Sequence, residues 1–129
     1  MNFLGIDYGE KRVGLATGSD ETKLASPFFI LENKGRDFLL TEIKKFCGEE
    51  NIEKIVVGMP LTMASERGPQ AEEVLKFIDF LKNNLSVGVE MEDERFTSAM
   101  VDKLMAESGV KDRDAISAMI ILQSFFDHV

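Results

Sequence analysis

Carboxylates recur at three places where the chain changes character. Asp7 ends an apolar run in GIDYGEKR, Asp93 and Glu94 end another in VGVEMEDER, and Asp112 and Asp114 flank Arg113 where the last periodic segment begins. Carboxylates brought within a few ångströms repel and raise one another's pKa unless a cation sits between them. An all-oxygen site of that kind suits hard divalent ions such as Mg2+ or Mn2+. Two such ions roughly 4 Å apart can activate a water and stabilise the leaving oxygen of a phosphodiester. The one histidine, His128, is next to last in the chain, where segments commonly fray, so a mechanism built on a histidine base finds little support.

Each acid also has a plain structural reading. Asp7 could simply accept hydrogen bonds from the turn at Gly9. EMEDER holds four acids in six residues, and such charge runs are usually solvated surface. Alternation puts Asp93 on the face of Val87, Val89 and Met91 and Glu94 on the other, and leaves open which points inward. Asp112 and Asp114 suit a first helical turn because the helix dipole favours negative charge there. Asp114 also precedes Ala118 by one turn, on the stripe through Ile121, Leu122 and Phe125, which aims it at the edge of the core. Lys11, Arg12, Arg67, Arg95, Lys111 and Arg113 neighbour these acids; they can hold phosphates or merely balance the acidic charge.

The elements that must position these residues follow from period and punctuation. NFLGIDY is apolar on both faces, as a central strand would be. RVGLATG after the turn at Gly9 predicts an antiparallel partner, and LASPFFIL a third strand in which Pro27 prefers an edge or a strand start. Leu39, Ile43, Phe46 and Cys47 then recur at helical spacing. KIVVGMP predicts a buried parallel strand, and residues 61 to 68 a loop. Val74, Ile78, Leu81 and Leu85 mark a second helix, and VGVEM a fifth strand. A third helix is expected from about Thr97 to Ser108, capped by Gly109, and a last one from near Asp112. Three strands followed by alternating helices and strands predict one α/β domain over residues 1–129, with a mixed sheet and helices on both faces.

Composition narrows the partners. The chain has 129 residues, 44% hydrophobic and 29% charged, the profile of a soluble globular domain. No basic leader or long apolar stretch is present, so a cytoplasmic location and no membrane contact are expected. The net charge of −8 argues against a surface that grips a phosphate backbone throughout; any nucleic-acid contact must be local. Cys47 is the only cysteine and reads as a small packed side chain. VGMPLTMASERGPQA is marked by glycine and proline, but GxxxxGK[ST] and GxGxxG are both missing, which gives nucleotide binding little support.

Together these segments resemble the YqgF/RuvX family, bacterial proteins of ribonuclease H-like fold described as Holliday-junction resolvases and as nucleases maturing the 5′ end of pre-16S ribosomal RNA. GIDYGEKRVGLA looks like the family's opening motif, VGMPLTM its central loop, EDERFTS its third motif and KDRDAISAMIILQ its C-terminal helix. The resemblance implies that Asp7, Glu94 and Asp114 carry divalent metal and hydrolysis, which favours Glu94 over Asp93. It also implies that Arg12 and Arg95 orient the substrate phosphate, and Lys11, next to Arg12, is expected to join them. Thr62 and Ser65 stand where the family usually has asparagine and glycine. The expected activity is a Mg2+- or Mn2+-dependent endonuclease acting on pre-rRNA, with four-way DNA junctions as the other substrate, as a monomer or homodimer and with the ribosome as a further partner. Two other classes compete: a non-catalytic RNA- or ribosome-binding module, and a phosphotransferase. The last ranks lowest, because sugar kinases and actin-like ATPases close two such domains over ATP and this chain supplies one.

Overall fold

The computed structural model describes residues 1–60, 69–94, 103, 105–107 and 112–128, with the backbone alone at 69 and 94. Five strands form one sheet: β1 (Asn2–Tyr8), β2 (Arg12–Ser19), β3 (Leu24–Glu32), β4 (Ile52–Pro60) and β5 (Gly88–Glu94). Helices α1 (Arg36–Glu49), α2 (Pro69–Asn84) and α3 (Arg113–His128) complete the described elements. Of the helix expected over 97–108, Lys103 and residues 105–107 are described and are helical; the loop at 61–68 lies outside the described residues. None of the described helices is long and apolar enough to cross a membrane.

The strand order is β3-β2-β1-β4-β5, which makes β1 the central strand and β3 an edge, where Pro27 costs no interior ladder hydrogen bond. β1 pairs antiparallel with β2 and parallel with β4, and β4 pairs parallel with β5. The fifth strand runs three residues beyond the expected VGVEM, through Glu94, because register with β4 carries it to the Pro60 pairing.

Alternation sorts the sheet into two cores. Leu4, Ile6, Val13, Leu15, Ile55 and Val57 pack with Leu39, Ile43 and Phe46 of α1 and Val74, Ile78 and Leu81 of α2. On the opposite face Phe3, Ala16 and Val56 pack with Ala118, Ile121, Leu122 and Phe126 of α3. The buried stripe of α3 ends on Phe126, with Phe125 only partly covered. Small residues let this helix lie close: a Cβ on Gly5 would stand 2.9 Å from Leu122 Cβ and 3.0 Å from the Ala118 carbonyl oxygen. Gln123 ties the same helix to the β2–β3 connection and the start of β3, donating to the Lys23 carbonyl at 2.8 Å and accepting the Ala25 N–H at 3.0 Å.

Candidate active site

Asp7 lies at the carboxyl end of the central strand, paired with Gly14 across the β1–β2 ladder. Paired residues of an antiparallel ladder face the same side, and here that side is the α3 layer: a Cβ on Gly14 would collide with the Asp114 carbonyl group. The first turn of α3 therefore rests directly on the residue opposite Asp7. This is why an acid 107 positions away in sequence reaches the same corner of the fold.

The α3 entry is built by Asp112. Its carboxylate accepts the Asp114 N–H at 3.0 Å, the geometry of an N-cap, and its carbonyl accepts from Ile116 at 3.3 Å. The structural reading thus accounts for Asp112, whereas Asp114 turns toward Arg12. Arg12 Nε stands 3.1 Å from Asp114 Oδ2 as an ion pair, with side chains 62% and 29% exposed. An ion pair this open contributes about 0–1 kcal/mol, so its consequence is positional. The basic residue that opens β2 and the acid that opens α3 occupy one place. Lys11 is exposed in the turn, and its carbonyl accepts the Asn33 N–H at 2.8 Å.

The ladder between β4 and β5 separates the two acids that alternation left open. Val56 packs in the α3 core and pairs with Glu90, so Gly58–Glu92 and Pro60–Glu94 continue register positions on that side. Asp93 pairs with Met59, which belongs to the core under α1 and α2. Position 94 therefore shares a sheet face with Asp7, and position 93 does not. Among the described residues no three histidine, cysteine, aspartate or glutamate side chains converge into a metal cage. Arg95, Lys111, Arg67, Thr62 and Ser65 lie outside the described residues.

Two features escaped the sequence reading. Glu92 has an 11% exposed side chain with a buried Oε2 that makes no hydrogen bond; His128 Nδ1 stands 3.4 Å from it. The signal was its alternation with Glu90 and Glu94, obscured by the surrounding charge run. Asn33 clamps the β1–β2 turn by donating from Nδ2 to the Gly9 carbonyl at 2.8 Å. A lone asparagine after a strand carries no pattern that would announce that contact.

A family model described as RuvX, Holliday junction resolvase, matches residues 1–128. A Chloroflexus aurantiacus protein named "Putative pre-16S rRNA nuclease" is 37% identical over 131 residues, covering 97% of this chain and 86% of that protein. A Clostridium botulinum protein of the same name is 33% identical over 133 residues, covering 98% and 97%. Among solved structures, Thermus thermophilus RuvC superposes with a TM-score of 0.64 at 14% identity, covering 99% of this chain and 95% of that one. At that identity the likeness speaks to fold, and it identifies the mixed sheet and its helices as ribonuclease H-like. With nearly its whole length matched by the family model and by relatives above 30% identity, the chain belongs to the RuvX family.

Proposed function

We propose that this chain is a divalent-metal-dependent endonuclease that hydrolyses phosphodiesters in structured nucleic acid, with 5′-end maturation of pre-16S rRNA as its role and Holliday-junction cleavage as the second reading. The observation that carries it is the seating of Asp114 against Gly14, the partner of Asp7, on the sheet face that position 94 shares. The family match and the names borne by its relatives support the nuclease class and both substrates.

The donor set fits Mg2+ or Mn2+: Asp7, Glu94 and Asp114 offer only carboxylate oxygens, the hard ligands these ions prefer. When bound, the metal supplies Lewis acidity toward the phosphate and a water acidic enough to attack it. The protein's own part is to hold the three carboxylates on rigid elements and to orient the substrate. Asp7 sits on the most enclosed strand of the sheet and Asp114 in a capped helical turn, the kind of support that keeps a site in register. Arg12 reaches the same corner and, with Arg95 and Lys11, neutralises the phosphate as charge builds on its oxygens.

In this reading residues 1–129 act as one nuclease unit. The test is incubation of wild type and Asp7→Asn, with and without Mn2+, with a labelled pre-16S 5′-leader RNA and with a four-way DNA junction. Metal-dependent cleavage of one substrate, lost by at least about 100-fold in a folded variant, is expected. Full activity in Asp7→Asn would defeat the scheme. No cleavage of either substrate by the folded wild type would favour a non-catalytic RNA- or ribosome-binding role.

A further inference from the structure

A cavity of about 490 Å³ opens at the same end of the sheet, lined by Tyr8, Glu10, Asn33, Gln70 and Glu73. Its volume falls in the range of small-molecule sites, about 300–1,000 Å³. Tyr8 follows Asp7 in β1, and alternation sends its side chain to the opposite face of the sheet, into the core of α1 and α2. We propose that this cavity seats an unpaired guanine of the nucleic-acid substrate, next along the strand from the phosphate at Asp7. The proposal rests on the nuclease reading for the identity of the strand; the chemistry of the cavity is argued separately.

The lining excludes the commoner ligands of such a protein. Two of the described lining residues, Glu10 and Glu73, are carboxylates, which disfavours an anionic ligand beside them. Gln70 adds an amide and Tyr8 a phenol, polar groups that an aliphatic ligand would not match. A flat ring carrying hydrogen-bond donors meets neither objection. Tyr8 supplies an aromatic surface held in place by Phe77, with ring centroids 4.5 Å apart and a tilt of 31°. Unpaired bases are recognised in this manner, by stacking on an aromatic ring and by hydrogen bonds to the Watson–Crick edge.

The donor pattern selects the base. A carboxylate only accepts, through two oxygens side by side. Guanine is the one standard base whose Watson–Crick edge offers two adjacent donors, N1–H and the N2 amino group. Adenine and cytosine each set one donor beside an acceptor, and uracil sets one donor between two, so each would turn a lone pair toward the carboxylate. Glu73 is within 3.6 Å of Lys76 Nζ on an exposed surface, a contact loose enough to yield to such a pair. Asn33 is the fixed wall. Its Nδ2 donates to the Gly9 carbonyl at 2.8 Å and its Oδ1 accepts the Gly35 N–H at 3.1 Å. The cavity is thereby coupled to the turn that follows Asp7.

The test uses the intact, isotope-labelled chain in EDTA, titrated with r(UUGUU), r(UUAUU), r(UUCUU) and r(UUUUU) while amide shifts are followed by NMR. r(UUGUU) is expected to move the amides of Tyr8, Asn33 and Glu73 and to bind at least about five-fold more tightly than the other three. Glu73→Gln and Glu10→Gln, both exposed and harmless to the fold, should erase that preference. Equal response to all four pentamers, no response at these residues, or a preference that survives both variants would overturn the proposal. Cleavage assays with Mn2+ separate the two readings. Guanine selectivity at the cavity without Asp7-dependent cleavage of any RNA would remove the nuclease and keep the base site. Asp7-dependent cleavage indifferent to the neighbouring base and to both variants would do the reverse.

Discussion

Gly14 lies directly beneath the Asp114 carbonyl, so close that no side chain fits between them. Because Gly14 is also the ladder partner of Asp7, this contact sets how near the two acids come. Gly14→Ala must lift the first turn of α3 off β2, and backbone is the unyielding neighbour. We expect a loss of about 1–3 kcal/mol in urea denaturation together with a fall in cleavage larger than the unfolded fraction explains. A variant as stable and active as wild type would show that the helix start does not need this approach.

Asp112 and Asp114 should separate stability from activity. Asp112 caps α3 through the Asp114 N–H, so Asp112→Ala should cost about 0.5–2 kcal/mol of folding stability and retain metal-dependent cleavage at temperatures where the protein is folded. Asp114→Asn should do the opposite, keeping the denaturation midpoint and losing cleavage. Thermal melts paired with cleavage rates read both, and matching behaviour of the two variants would contradict the assignment.

Arg12 pairs with Asp114 at 3.1 Å while remaining 62% exposed. Removing it in Arg12→Ala should change stability by less than about 1 kcal/mol. If the same guanidinium orients the phosphate, KM should rise about ten-fold, with a smaller fall in kcat. Kinetics with unchanged KM would restrict Arg12 to balancing the acid.

Burial raises the Cys47 thiol to about 11, so at neutral pH the folded chain presents a thiol and almost no thiolate. Reaction with a thiol reagent at pH 8 should be slow in the native protein and fast in denaturant. The folded state holds this proton more tightly than the unfolded chain, whose ordinary value is about 8.5. The associated stability is therefore fully present below about pH 8.5. It is lost as pH rises toward about 11. Urea midpoints measured between pH 8 and 11 should fall, and in Cys47→Ala this component of the fall should vanish.

The sequence by itself determined the parts of this protein that depend on local pattern. The doubly apolar run NFLGIDY predicted a central strand, and Pro27 an edge or a strand start; β1 is central and β3 an edge. Helical spacing from Leu39 and from Val74 predicted α1 and α2; Leu39, Ile43, Phe46, Val74, Ile78 and Leu81 are buried, while Cys47 and Leu85 are partly so and Leu85 follows the end of α2. Motif order likewise announced the family that full-length comparison then showed.

Tertiary structure decided the rest, because each remaining question concerned pairing between distant segments. Alternation within β5 cannot rank Asp93 against Glu94; register with β4 puts position 93 with Met59 and position 94 on the α3 side. Nothing in GLATG says that Gly14 is small to admit a helix 100 residues later. Nor does a single asparagine reveal that it braces the turn after Asp7 and walls a cavity. Hydrophobic period is a property of one segment and survives in sequence, whereas close approach and shared cavities belong to pairs of segments and exist only once the sheet has brought them together.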